Sequence, residues 1–401
     1  MSSVKALVGC AVTRLITSPG LQTLRRGAYS AVRKLSGRKA TVHYFHQHDD
    51  PYSQLLAPYL PALQTRYRIA IVTHAVPAPD ATAAPDLQRL SLWSARDAAR
   101  LRDSFATNAS EGIAALPIQS PTLADLQRGA ALRKKMGHYL GAMLYFEGEW
   151  YWGTDRLHYL EQRLTEGGLR VNPATTESAL ASESEPLIPP RKLQFKLSTA
   201  KPATPPVIHF YCSLRSPYTY LAARQVRALA QHYGAELRIR FVLPMVMRGL
   251  PVPLAKRLYI LQDTKREATR LGVNFGAVVD PVGKPVEAGL ALLHAACAKG
   301  QGTALLESFL SAAFAEGIDA GSAQGLQHIA AQAGMNTPDM QAALAVESWR
   351  EVAEANRADM LERGLWGVPS FRVNDQAAVW GQDRLWMLEE DLQQALTPTL
   401  V

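Results

Sequence analysis

Thr41, Val42, His43, Tyr44, Phe45 and His46 alternate β-branched, imidazole and aromatic side chains before a polar turn, which predicts a buried strand. Pro51 then opens a helical pattern carried by Leu55, Leu56, Tyr59, Leu60 and Leu63. Proline suits a first helical turn because the N–H it lacks would have no partner there. Alternation returns over 68–74 as a second strand, and Leu and Ala at helical spacing predict helix over 86–136. Residues 142–146 and 150–152 read as a hairpin turning at Glu147, Gly148 and Glu149, with a helix following from about Asp155.

The same order of elements recurs. A strand over 207–211 leads to a helix opened at Pro217 and a strand over 236–242. A mostly helical segment covers about 253–363, a hairpin of 370–373 and 377–380 turns at Asn374 and Asp375, and a terminal helix begins near Asp383. In places the recurrence is literal. Val42-His43-Tyr44-Phe45 and Asp50-Pro51-Tyr52-Ser53 return as Ile208-His209-Phe210-Tyr211 and Ser216-Pro217-Tyr218-Thr219. Trp152-Gly153-Thr154-Asp155-Arg156-Leu157 returns as Trp380-Gly381-Gln382-Asp383-Arg384-Leu385, and Leu160-Glu161 as Leu388-Glu389. Two separated phrases repeated in one order indicate a duplicated domain. The extra length of the second copy lies between its two phrases, so its insertion is helical. The chain thus divides into a segment 1–40, a first copy 41–165, a linker 166–206 rich in Pro, Ser, Thr and Ala, and a second copy 207–401. Leu193 to Leu197 adds a candidate short strand to the linker.

Charge changes the picture only once it is located. The formal net charge is +8, but residues 1–40 hold eight of the 43 basic residues and no acid, leaving 35 basic residues against 35 acids. A neutral body argues against a nucleic-acid groove. The basic segment has three readings: an amphipathic helix resting on the body or in peripheral contact with a membrane surface, an organelle transit peptide, or a loosely ordered tail. Its apolar run, Ala6 to Val12, is too short to span a bilayer. Three cysteines, Cys10, Cys212 and Cys297, form no C-x-x-C pair, which points to a reducing, cytoplasmic compartment and gives no zinc site. Apolar content of 47% over 401 residues is enough for two globular cores.

Strand, helix, strand, helical insert, hairpin and helix is the order of a thioredoxin-type α/β fold. In such a unit the first strand delivers the chain to a helix N-terminus, where unpaired N–H groups and the helix dipole create a positive field that stabilises a thiolate. Ser216 occupies that point, directly before Pro217. It reads either as a plain helix cap or as a hydroxyl donor to the thiolate of a bound ligand. Pro369 enters the first strand of the second hairpin, where it cannot donate to a ladder. A trans bond at a strand start and a cis Val368–Pro369 bond both accommodate it, and the cis form exposes the Val368 backbone to a ligand.

Phe210-Tyr211, Ser216-Pro217-Tyr218, Gly367-Val368-Pro369-Ser370-Phe371 and Trp380 to Leu385 together resemble the 2-hydroxychromene-2-carboxylate isomerase family, related to kappa-class glutathione transferases and DsbA-type oxidoreductases. The resemblance covers about 207–397 and, more weakly, 41–165. It implies two tandem thioredoxin-like (DsbA-type) domains, each with a helical insertion, and glutathione as cofactor. Ser216 matches the serine that activates the glutathione thiol, and Val368, before Pro369, matches the residue whose backbone pairs with the cysteinyl part. Gln382 and Asp383 match the grip on the γ-glutamyl end. Lys256, Tyr259, Asp263 and Arg266 resemble part of the family's helical insert, with Lys256 facing a ligand carboxylate; a solvated helix face is the plainer account, since the four share one side. Cys212 reads as core packing. The implied reaction is thiol addition to a small-molecule electrophile, ending in isomerisation or transfer.

The first copy departs from this pattern. Asp50 puts a carboxylate where a thiolate would be held, and Met143 stands where the second copy has Pro369. That predicts a silent copy whose role is structural, forming a pseudo-dimer within one chain or serving a homodimer. His46 and His48 beside Asp49 and Asp50 invite a metal site that no further cluster supports. Two rival classes remain. One is a non-catalytic binding or scaffold protein. The other is a relative of thiol–disulfide oxidoreductases, with Ser216 and Thr219 in place of its cysteines.

Overall fold

The computed structural model describes residues 2–106, 120–171, 185–197 and 204–397. Parts of the predicted helix over 86–136 and of the predicted linker lie outside them. The fold is mixed α/β with two four-stranded sheets. Strands β1 (Thr41–His46), β2 (Ala70–Ala75), β3 (Met143–Phe146) and β4 (Glu149–Trp152) form the first. Strands β5 (Val207–Cys212), β6 (Glu236–Phe241), β7 (Ser370–Val373) and β8 (Val379–Trp380) form the second. The orders are β2-β1-β3-β4 and β6-β5-β7-β8. In each, the first two strands run parallel and the hairpin adds antiparallel. A parallel pair needs a crossover, and the proline-opened helices supply it: Pro51–Leu56 continuing into Leu60–Arg66, and Pro217–Tyr233.

Two compact units enclose these sheets: Pro19–Arg191 with Pro253–Tyr259, and Met1–Ser18 with Lys192–Val252 and Ile260–Val401. In the first unit Val42, Tyr44, Leu56, Leu60, Leu144 and Leu160 are fully buried in one core. In the second, Ile208, Phe210, Val226, Leu229, Phe371 and Leu388 are equally buried, and the Phe210 and Phe371 rings stack at 5.1 Å. Burying one such side chain contributes about 1.5–3 kcal/mol, so the apolar phrases seen twice in sequence are two sets of core positions.

The duplication extends into side-chain bonds. Tyr52 donates to Asp97 at 2.7 Å, and Tyr218 to Asp263 at 2.8 Å. Helix Leu87–Ala106 is therefore the counterpart of helix Leu254–Arg270, and the real insertion of the second copy follows the latter. It comprises helices Lys284–Ala298, Gly302–Ser311, Ala323–Gln332, Thr337–Leu344 and Trp349–Glu362. Gly289 lets the first two approach, since a Cβ there would sit 2.4 Å from the Phe309 ring.

Two expectations are corrected. Leu193 to Leu197 is not a strand. The backbone N–H groups of Gln194 and Phe195 instead donate to the buried Glu389 carboxylate, the first at 2.7 Å. In the first unit Leu187 N–H donates in the same way to the equivalent Glu161, at 2.8 Å. The second correction concerns register. Met143 pairs with Phe45 and Trp152, whereas Ser370 pairs with Tyr211 and Trp380. Met143 is thus the counterpart of Ser370, and Ala142 is the counterpart of Pro369. The backbone agrees: Gly153 N–H donates to Ala142 O at 2.8 Å, and Gly381 N–H to Pro369 O at 2.9 Å.

The basic segment forms two helices, Ser2–Ile16 and Pro19–Leu35. In the first, Cys10 is buried with Ala277 and Val279, and Thr13 Oγ1 accepts from Val278 N–H at 3.1 Å. In the second, Arg26 bonds Glu149 and Glu166, and Arg33 bonds Glu147.

Candidate functional site

β5 ends at Cys212 and the chain turns through Ser216 into the 17-residue helix Pro217–Tyr233. Ser216 is extended (φ −100°, ψ 113°), and its Oγ accepts from Thr219 N–H at 3.1 Å. That bond uses a lone pair and leaves the hydroxyl proton to be donated. The nearest acceptor recorded for it is Val368 O, at a long 3.5 Å. Capping and donation to a ligand are therefore compatible roles for one side chain. The remaining first-turn N–H groups and the dipole of a long helix favour negative charge at the same place.

The Val368–Pro369 bond is cis. Val368 is half-buried and Pro369 buried. The preceding turn is shaped by Gly367, where a Cβ would lie 2.1 Å from the Trp380 ring, and Ser370 Oγ ties back to Gly367 O at 2.7 Å. Ser216, Val368 and Pro369 thus meet at the end of the two inner strands of the second sheet, β5 and β7.

Thr219 belongs with them and went unrecognised as a site residue. It is fully buried, yet its Oγ1 has no hydrogen-bond partner among the described residues. Its counterpart Ser53 shows why. Ser53 Oγ donates to Asp50 at 2.8 Å and accepts from Ala142 N–H at 2.8 Å and Gln47 N–H at 3.2 Å. In the second copy Ser216 replaces Asp50, which removes the acceptor of the hydroxyl proton, and Pro369 replaces Ala142, which removes an N–H donor. The sequence shows a hydroxyl in both copies, but only the structure shows that in the first it faces the N–H of Ala142, the counterpart of Pro369. A buried, unsatisfied hydroxyl costs free energy unless something reaches it.

Gln382 opens the turn before helix Leu385–Leu396 and is buried. Its Nε2 donates to Glu267 at 3.2 Å and to Asp383, while Arg270 bonds Glu267 at 2.7 Å. Asp383 is half-exposed beside it. Lys256 is placed differently from expectation. It belongs to the unit around the first sheet, where its Nζ donates to Ala83 O at 2.9 Å and burial lowers its pKa. The stretch around it is no solvated face either, because Tyr259, Asp263 and Glu267 are buried. Cys212 is fully buried and desolvation pushes its thiol well above the usual range, so it is core.

The first copy presents a closed loop instead. Asp50 Oδ2 accepts from Ser53 N–H at 2.9 Å and from its hydroxyl, and burial raises the Asp50 pKa against those bonds. His46 bonds the Tyr44 hydroxyl at 2.9 Å, and burial lowers its pKa to about 4. Among the described residues no group of three or more His, Cys, Asp or Glu side chains could hold a metal ion.

Residues 207–393 match the family described as the DSBA-like thioredoxin domain. A curated relative, the 2-hydroxychromene-2-carboxylate isomerase of Pseudomonas putida, is 26% identical over 193 residues, 46% of this chain and 92% of that protein. Among solved structures, a 2-hydroxychromene-2-carboxylate isomerase is 24% identical with a TM-score of 0.39, over 47% of this chain and 95% of that one. The cytosolic disulfide reductase DsbM of Pseudomonas aeruginosa, solved with GSH, is 21% identical with a TM-score of 0.38, over 47% and 96%. The family match and the curated relative support a thiol-related activity of isomerase or oxidoreductase type. The C-terminal half of this chain is a DSBA-like thioredoxin domain.

Proposed function

We propose that the second copy is a glutathione-dependent isomerase or transferase acting on an unsaturated or aromatic-derived small molecule. The observation that carries this is the pair of hydroxyls at one helix N-terminus: Ser216 with its proton available, and Thr219 buried without a partner. Both are donors where a thiolate is electrostatically favoured, and neither can form a disulfide. The similarity to an isomerase of this family points the same way.

Bound glutathione would supply a thiol nucleophile for conjugate addition, regenerated by elimination in an isomerase and kept in the product of a transferase. The chain's own residues hold and activate it. Ser216 donates to the sulfur and, with the helix terminus, lowers the thiol pKa. Thr219 adds a second donor from beneath. The Val368 backbone pairs with the extended cysteinyl part, and Asp383, oriented by Gln382, receives the γ-glutamyl ammonium. The first copy, its loop closed by Ser53 and Ala142, takes a structural role. Disulfide exchange lacks both of its sulfurs at Ser216 and Thr219.

Calorimetry with glutathione, paired with thiol-addition rates on a conjugated enone, tests this. Ser216→Ala is expected to keep measurable binding while losing roughly 10²–10³ in rate, the usual cost of removing one preorganised donor. Absence of binding by both wild type and variant would leave a scaffold protein as the better account.

A further inference from the structure

Gln22, Arg26 and Arg33 lie on one side of helix Pro19–Leu35, and all three are committed to the body of their own unit. Gln22 Nε2 donates to Glu149 at 3.1 Å, Arg26 Nε to Glu149 at 2.7 Å, and Arg33 Nε to Glu147 at 2.6 Å. The opposite side carries Leu24, Ala28, Ala31, Val32 and Leu35 at helical spacing, all exposed. Leu24 is 72%, Val32 62% and Leu35 88% exposed. Arg25 and Lys34 flank this stripe, and Arg38 and Lys39 follow it. All four are exposed, and none has a carboxylate partner among the described residues.

Helix Ser2–Ile16, taken by itself, has the same division. Ala6, Cys10 and Thr13 face its unit, while Leu7, Val8, Val12 and Leu15 point outward, 67%, 57%, 48% and 61% exposed. Two consecutive helices therefore spend their polar or small side inward and leave an apolar side to solvent, the reverse of an ordinary surface helix.

Charge identifies the occupant. Residues 1–40 carry the whole formal charge of +8 with no acid, over a body whose charges balance. A surface that is apolar at its crest and cationic along its flanks complements a boundary with anionic groups outside and hydrocarbon beneath. A second copy of the same face would meet it with like charge. Among the described residues no helix is long and apolar enough to cross a membrane, which fits a surface that lies on one. We infer that residues 19–39 bind anionic lipid bilayers peripherally. Leu24, Val32 and Leu35 enter the headgroup boundary, with Arg25, Lys34 and Arg38 at the phosphates.

The test uses the full chain and co-sedimentation with vesicles of phosphatidylcholine alone and of phosphatidylcholine mixed with phosphatidylglycerol. Binding to the mixed vesicles only, weakening as salt rises, is the expected result. Leu24→Glu with Leu35→Glu should lower it at least about tenfold, and neutralising Arg25, Lys34 and Arg38 to Gln about fivefold per charge. The altered side chains are exposed, so circular dichroism and glutathione calorimetry should not change, which separates this inference from the proposed activity. Failure to bind either vesicle, or binding that survives the glutamate pair, overturns it. Self-association without lipid that the same pair abolishes would assign the stripe to a second copy instead, and also overturns it.

Discussion

Removing the Thr219 hydroxyl while keeping its shape separates two kinds of worth. The group is fully buried and without a partner in the free protein, so Thr219→Val should raise unfolding stability by about 1 kcal/mol, the desolvation cost it relieves. The same change should weaken glutathione about tenfold and leave S-methylglutathione, which has no thiolate to receive the bond, nearly unaffected. Denaturant melts and calorimetry read both. A variant that loses stability, or that loses affinity for the two ligands alike, shows the hydroxyl to be a packing group. Ser216 was legible because serine before proline at a strand-to-helix turn is a local pattern. Thr219 was not, because its meaning depends on an amide that sits far along the chain in one copy and is missing in the other.

Glu161 and Glu389 show how a repeated dipeptide becomes a structural device. Each is buried on the last helix of its copy and accepts backbone N–H groups from the segment between the copies. Glu389 also accepts from the Tyr233 hydroxyl at 2.8 Å. Glu389→Gln turns one acceptor into a donor facing N–H groups, and is expected to cost about 1–3 kcal/mol in urea denaturation. An unchanged midpoint would mean that these bonds to Glu389 contribute nothing. The sequence showed the two glutamates but gave no partner for them, because a backbone N–H carries no sequence signature. It also misplaced the proline by one residue. Only the strand register identifies Ala142 as the counterpart of Pro369. Strands, proline-opened helices and hairpins were all legible, since their periodicities are local.

Acid should weaken both units. Burial lowers the pKa of His46 and His209 to about 4, the latter with help from Arg372 and Arg240, and that of His138 to about 3. Unfolding returns each to near 6.5, so below that pH the unfolded chain binds protons that the folded one refuses. Stability is therefore full above about pH 6.5 and falls as the pH drops toward 4. His138 alone should account for about 1 kcal/mol between pH 7 and 5.5. The raised pKa values of Asp50 and Glu161 act in the opposite sense, nearer the carboxylate range. Denaturation midpoints measured between pH 7 and 5.5 check the sign, and a flat profile refutes it.

A protein with two such sheets would ordinarily be expected to saturate at two equivalents of ligand. Here Asp50 already takes the hydroxyl proton of Ser53, while the counterpart Thr219 has no partner among the described residues. Stoichiometry therefore turns on one carboxylate. A titration should stop at a single thiol per chain, with the other sheet serving as a blank inside the same molecule.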